Sequence, residues 1–136
     1  MATDEDDWSE IERPPRSRGF IPDVAVSMFP GGPDKLGKIW RPGVWIVFRN
    51  DAAVWIESKL RFRVSVGGSL ANRLRLFPCD DGPFETWIMS GVSRMRLSMI
   101  SAWPCERRLP TAAKWRIEDD AMILTLPEDW AEKRSK

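Results

Sequence analysis

The segment from Val54 to Val66 constrains the fold of this chain more than any other. Apolar side chains occupy one parity, interrupted only at Ser58, while Trp55 and a series of charged or polar side chains occupy the other. Side chains of a strand point alternately to its two faces. The segment therefore predicts one long strand with an apolar face and a mainly basic face.

Two further segments repeat the alternation of arginine with apolar residues, at Arg73–Leu76 and at Arg94–Leu97. Three strands that each carry two arginines on one parity suggest a single basic sheet face, accompanied by tryptophan and lysine. Its candidate binding residues are Arg61, Arg63, Arg73, Arg75, Arg94, Arg96, Trp55, Trp87 and Lys59. Arginine and aromatic side chains on one face can hold phosphates and stack bases. The alternative interpretation is a solvated face in which ion pairs occupy the arginines.

The net charge of +1 conceals a segregated distribution of charge. Residues 1–12 carry six acids and no base, residues 13–116 carry eighteen bases and eight acids, and residues 117–136 carry three bases and six acids. We interpret residues 1–18 as an acidic arm and linker, for which disorder is one interpretation and folding onto a basic surface another. Residues 19–136 are predicted to form a single β domain.

Turn-forming residues divide this domain into short strands. The pattern predicts a first strand at 24–28, a buried strand at 44–48, and a hairpin that joins it to 54–66 through Asn50-Asp51. We expect a mainly β fold, a small antiparallel barrel or sandwich of about seven or eight strands with short terminal helices.

Two later hairpins are also predicted from their turns. Ser90-Gly91 should join strands 84–89 and 92–100, which would set Trp87 opposite Arg94 and Glu85 opposite Arg96. A second hairpin joins 114–118 to 122–126, and a helix anchored by Trp130 follows it.

The composition argues against most catalytic chemistry. The chain has no histidine, and it contains no P-loop, no GxGxxG and no GxSxG motif. Cys79 and Cys105 form no CxxC pair and, without histidine, no zinc site. We expect no enzyme, no metal and no cofactor, and we interpret Asp80-Asp81 and Asp119-Asp120 as turn residues.

One pattern nevertheless resembles an enzyme signature. Pro33-Asp34 followed by Glu57-Ser58-Lys59 resembles the PD…ExK motif of a large superfamily of metal-dependent nucleases. The resemblance implies that Asp34 and Glu57 hold a divalent metal while Lys59 orients the attacking water. It covers only these few residues, and we keep it as the remote alternative.

No apolar run approaches the roughly 18 residues that a membrane-spanning helix needs, and the N-terminus is acidic rather than basic and apolar. We expect a cytoplasmic protein with no membrane partner. The first expectation for function is a non-enzymatic module that binds nucleic acid or another anionic partner, such as an acidic protein surface, through the arginine and tryptophan face. The alternative is an adaptor or inhibitor of phage or mobile-element type that binds another protein through tryptophan, arginine and the acidic arm. A homodimer is left open.

Overall fold

The structure, a computed structural model, describes Ser9, Ile11 and residues 22–133. Apart from Ser9 and Ile11, the predicted acidic arm and linker at residues 1–18 therefore lies outside the described residues, and with it the N-terminal one of the expected short terminal helices. Within them the chain forms one helix, α1 (Asn50–Glu57), and strands β1 (Val24–Phe29), β2 (Gly32–Pro33), β3 (Ile39–Trp40), β4 (Gly43–Phe48), β5 (Phe62–Gly67), β6 (Arg73–Pro78), β7 (Trp87–Met89), β8 (Val92–Ser98), β9 (Arg108–Ala112), β10 (Lys114–Glu118) and β11 (Ala121–Thr125).

The strands form two large antiparallel sheets and one small hairpin. The first sheet has five strands in the order β7-β8-β4-β1-β9, the second has four in the order β10-β11-β6-β5, and β2 pairs with β3. The prediction of a mainly β antiparallel fold is confirmed. The sheets do not close into a barrel, so the sandwich is the alternative that holds, and its nine main strands exceed the seven or eight expected.

One apolar core lies between the two sheets. Buried and outward side chains alternate along the strands, as in β6, where Leu74 and Leu76 are buried and the arginines beside them are exposed. The first sheet contributes Val26, Ile46 and Met95 to the same core. Because each sheet turns one face to this core, its other face is an outer face of the domain.

Residues 54–66 are not one strand, and the predicted hairpin from 44–48 is wrong. Helix α1 occupies the first part of this segment, and β5 begins only at Phe62. Strand β4 pairs instead with β1 and β8. Ala52 and Ile56 are both fully buried, and residues four apart share a helix face as well as a strand parity. The spacing of these two residues therefore fits either structure. In a strand Val54 would lie on the same face as Ala52 and Ile56, but it is 71% exposed, as the helix requires.

The two later hairpins are confirmed. Trp87 lies opposite Arg94 as predicted, and the turn places Ser90 and Gly91 at φ of 55° and 74°. The turn residues Asp119 and Asp120 also have positive φ, at 50° and 64°, which suits the two-residue turns that connect twisted strands. Glu85 lies outside β7, and its carboxylate pairs with Arg61 at 3.6 Å rather than with Arg96.

Residues 126–133 form turns and irregular backbone rather than the predicted C-terminal helix, although Trp130 is fully buried as expected. The amide of Trp130 bonds the carbonyl of Pro127 at 3.0 Å, a turn rather than a continuing helix. The buried Arg108 guanidinium stacks on Trp130 at 5.2 Å and donates to the carbonyls of Asp129, Trp130 and Glu132. This side chain therefore satisfies backbone acceptors that a longer helix would have used.

Candidate binding faces

The candidate arginines do not share one sheet face. Arg63, Arg73 and Arg75 lie on β5 and β6 of the four-stranded sheet, whereas Arg94 and Arg96 lie on β8 of the five-stranded sheet. All of them point away from the common core. The prediction of a single face is wrong, because the strand order separates the third arginine pair from the first two.

The outer surface of the four-stranded sheet collects five bases, and we call it the basic face. Its members are Arg63, Arg73, Arg75, Lys114 and Arg116. The last two were missed as site residues in the sequence. Their alternation in Lys114-Trp115-Arg116, together with the correctly predicted hairpin, was the signal that could have found them.

Strand register places these bases in rows across the sheet. Lys114 lies opposite Thr125, which lies opposite Arg73 on the next strand. Arg116 is connected in the same way through Ile123 to Arg75. Since neighbouring strands are about 4.8 Å apart, the backbone positions of the two bases at the ends of each row are about 10 Å apart. The basic face is thus one continuous patch.

Carboxylates neutralise only part of this patch. Arg63 pairs with Asp81 at 3.3 Å, and Arg116 pairs with Glu118 at 2.8 Å. Arg73, Arg75 and Lys114 are exposed and have no carboxylate within ion-pair distance among the described residues. These three cations are the ones available to an anionic ligand.

Asp81 is held by the turn that follows β6. The Cys79 thiol donates to its carboxylate at 2.6 Å, and this hydrogen bond, with the charge of Arg63, holds the pKa of Asp81 below its ordinary value. Gly82 closes the turn so tightly against the backbone of Phe62 that a Cβ at this position would overlap it. The ion pair of Arg63 is therefore fixed from the carboxylate side, and Asp81 has the turn role predicted for it.

An exposed aromatic ring completes the basic face. Phe77 lies opposite Arg63 and is 39% exposed, and the Arg75 guanidinium lies 5.3 Å from its ring centre. A groove of about 220 Å³ runs beside it along Ser65, Arg73, Arg75, Arg116 and Ile123. The basic face thus offers both exposed cations and an exposed aromatic ring.

The remaining candidates near β5 have structural contacts. Arg61 donates to the carbonyl of Gly82 at 3.0 Å and pairs with Glu85. Trp55 packs 6.0 Å from Phe62, and the Lys59 ammonium lies 5.7 Å from the Trp55 ring. These three residues surround the end of α1 and do not extend the rows of the basic face.

The outer surface of the five-stranded sheet has a different character, and we call it the tryptophan face. Its side chains include Trp45, Val47, Trp87, Met89, Arg94 and Arg96. Trp45 and Trp87 pack edge to face at 5.6 Å, and the Arg96 guanidinium lies 5.5 Å from Trp45 and 5.8 Å from Trp40. Arg96 also donates to the carbonyl of Arg41. Trp87 therefore packs on a tryptophan, and Arg96 makes cation–π contacts with Trp45 and Trp40.

The structure gives the residues of the nuclease-like pattern other positions. The Asp34 carboxylate accepts hydrogen bonds at 2.9 Å from the amides of Leu36 and Lys38 and from the Trp40 indole, and these, the indole first, lower its pKa. Glu57 ends α1 with Lys59 two residues later. Lys59 lies beyond the end of the helix, and its ammonium contacts the Trp55 ring. Asp34 thus organises its own turn, and the described contacts give the resemblance no support.

Comparison of the chain with protein-family models, with curated proteins and with solved structures found no match. Within residues 22–133 no helix has the length and apolar character needed to cross a membrane. The two outer faces are therefore the features of the molecule that bear on its function.

Proposed function

We propose that this protein is a non-enzymatic β module that binds single-stranded nucleic acid through its basic face. The observation that carries the proposal is the position of Arg73, Arg75 and Lys114. They lie on one outward surface, in neighbouring rows, without carboxylate partners among the described residues. Cations arranged in this way attract the regularly spaced phosphates of a nucleic acid backbone.

The shape of the basic face and the exposed ring of Phe77 favour single strands over duplexes. A four-stranded sheet face is broader than a helix or a two-stranded ribbon, the elements that the major groove of a duplex admits, and it can support bases that are free to leave their stack. The exposed ring of Phe77, adjacent to Arg75, offers a stacking surface within the patch. Stacking of this kind tolerates any sequence, so we expect little base specificity.

The number of available cations sets the expected salt dependence. Three released counterions give a slope of about −2 in log K against log salt for a single strand, or about a 20-fold loss of affinity between 50 and 200 mM salt. The net charge of +1 provides little long-range steering, so this local patch has to supply the attraction.

The test is a salt titration of binding to a labelled single-stranded oligonucleotide, with the intact protein beside Arg73→Gln/Arg75→Gln. We expect the slope to fall to about −0.7 in the variant, since one unpaired cation remains. Arg94→Gln/Arg96→Gln, on the opposite face, is the matched control and should keep the parent slope.

Two results would refute the proposal. One is a slope unchanged in Arg73→Gln/Arg75→Gln, and the other is an equal loss in the control variant. Arg61→Gln/Arg63→Gln is a second control, because both guanidiniums already pair with carboxylates. Its slope should stay close to that of the parent, since Arg73, Arg75 and Lys114 are unchanged.

A second candidate function is protein binding through the tryptophan face, as an adaptor or inhibitor of the phage or mobile-element kind. The observation in its favour is that Trp87 and Met89 stay 37% and 47% exposed beside Trp45 and the arginines. Tryptophan, methionine and arginine are the residues enriched at protein interfaces. A second copy of the chain would be one such partner. We also propose a cytoplasmic location, supported by the two free thiols Cys79 and Cys105.

A further inference from the structure

We propose that a groove in the tryptophan face binds a short acidic peptide segment of a partner protein, which inserts one apolar side chain. The inference rests on the second candidate function, protein binding, and it concerns the sheet opposite the basic face. Its failure would leave nucleic acid binding by Arg73 and Arg75 untouched.

The groove exists because small residues lie in the middle of this sheet. Ala25 and Ser27 on β1 form its floor, whereas Trp45 and Val47 lie beside them on β4. Leu109 and Pro110 line the groove from β9, and the resulting space is about 380 Å³. A space of this size accepts a large apolar side chain, and its walls are apolar enough to favour one.

The charges around the groove have one sign. Its lining contains Arg94, Arg107 and Arg108 and, among the described residues, no aspartate or glutamate. Arg108 is already paired with Glu106 at 3.0 Å. Arg107 lies 5.3 Å from the Phe29 ring, and neither it nor Arg94 has a carboxylate within ion-pair distance among the described residues. Charge complementarity therefore selects an acidic ligand.

Of Arg94 and Arg107, Arg94 is the one that we expect to gain more from binding a carboxylate. Its Nε is buried without a hydrogen-bond acceptor in the described part of the chain. A guanidinium that has already lost part of its hydration gains more from a carboxylate at its terminal nitrogens than a fully solvated one would. Carboxylates that flank an apolar anchor would thus find both a pocket and partners.

Two other occupants fit these observations less well. The Trp45 ring already packs against Trp87 and the Arg96 guanidinium, which leaves less of it for a nucleic acid base to stack on. Ile11, in the chain's own acidic arm, is 92% exposed and does not fill the groove. The charge and size of the groove therefore favour a segment of another protein.

The experiment uses the full chain and a fluorescent nine-residue peptide with a single apolar side chain, Glu-Asp-Gly-Glu-Leu-Glu-Gly-Asp-Glu, in anisotropy titrations. Two control peptides replace either all acids by amides or the leucine by alanine. We expect micromolar binding of the first peptide and at least tenfold weaker binding of either control. Ser27→Leu, which fills the floor, and Arg94→Gln/Arg107→Gln should each weaken binding about tenfold or more. Ser69→Leu, at an exposed turn position outside both grooves, is the control for the added apolar bulk and should leave peptide binding unchanged.

Circular dichroism and urea unfolding of each variant separate loss of binding from loss of fold. Equal binding of the peptide without apolar residues would overturn the proposal, since charge alone would then suffice. Displacement of the peptide by a single-stranded oligonucleotide in the Arg73→Gln/Arg75→Gln variant would overturn it too, because the groove would then be a nucleic acid site. Binding that appears only in the full-length Trp8→Ala/Ile11→Ala variant would assign the groove to the arm. Absence of binding in every variant would equally overturn it.

Discussion

The two outer faces of the sandwich are built on nearly the same short sequence. Arg73-Leu74-Arg75-Leu76 in β6 and Arg94-Met95-Arg96-Leu97 in β8 both turn apolar side chains to the core and arginines outward. In β6 the arginines lie between small or aliphatic neighbours and are exposed. In β8 they lie beside Trp45, Val47 and Trp87 and are half-buried.

The difference shows that cross-strand neighbours determine what an outward arginine can do. Beside Ser65 or Thr125 the charged head stays exposed, although that of Arg75 also contacts the Phe77 ring, and it can meet a phosphate. Beside tryptophan the arginines are half-buried, and Arg96 stacks its guanidinium on Trp45, so it becomes part of an apolar surface. The contrast between a basic face and a tryptophan face leads to the predictions that follow.

The largest expected effect is on stability. Trp45→Ala removes the edge-to-face contact with Trp87 and the stacking partner of Arg96, and it should lower the free energy of unfolding by about 2–3 kcal/mol. Arg75→Ala, at an exposed position of the other sheet, should change it by less than about 0.5 kcal/mol. Urea unfolding of the two variants measures both values. Equal losses would mean that the faces do not differ in their contribution to packing.

A smaller effect is expected from one carboxylate placed within the basic face. Thr125 lies between Lys114 and Arg73 in the same row, so Thr125→Glu would pair with both. Cross-strand pairs of opposite charge stabilise by about 0.2–1 kcal/mol. We expect unchanged or slightly higher stability and about fivefold weaker oligonucleotide binding at low salt.

Thr125→Gln is the matched control, because it has the same size without the charge. It should bind like the parent protein. A loss of binding in both variants would show that the shape of the row matters rather than its charge.

The smallest expected effect concerns the pH below which Asp81 is protonated and its ion pair with Arg63 on the basic face is lost. The pKa of Asp81 is lowered in the folded state, first by the Cys79 thiol and then by Arg63. A lowered pKa contributes stability above the unfolded value of about 3.9, and that contribution is lost as the pH falls below it. NMR titration of the Asp81 carboxyl should show a higher pKa in Cys79→Ala and a smaller rise in Arg63→Gln. The opposite order would mean that the charge, rather than the thiol, sets the pKa.

The parts of the fold that local chemistry decides could be predicted from the sequence. Strand β1 and the hairpins at Ser90-Gly91 and Asp119-Asp120 follow from turn residues and short apolar runs, and they are confirmed. Helix α1 was missed because Ala52 and Ile56, four residues apart, satisfy a strand and a helix equally. The C-terminal helix was wrongly predicted because its carbonyls bond Arg108, which is distant in sequence.

The outward orientation of the paired arginines could be predicted from the sequence, but not which of them share one face. Alternation placed each arginine pair on an outward face, as the structure has it for Arg73, Arg75, Arg94 and Arg96. Which strands become neighbours depends on contacts between distant segments, such as the pairing of β6 with β11 and of β8 with β4. The alternation within one segment does not determine which strands become its neighbours in the sheet. The division into two faces, and the place of Lys114 in one of them, therefore required the structure.

We propose that nucleic acid binds the basic face of the sandwich and leaves the tryptophan face free. None of the tryptophans in the described part of the chain lies on the basic face, whereas Trp45 and Trp87 lie on the opposite one. NMR spectra of the indole N–H groups and the arginine Nε–H groups, recorded during titration with a single-stranded oligonucleotide, therefore separate the two faces. The account predicts that the signals of Arg73 and Arg75 shift while those of Trp45 and Trp87 stay in place. Shifts at Trp45 and Trp87, with Arg73 and Arg75 unmoved, would contradict it.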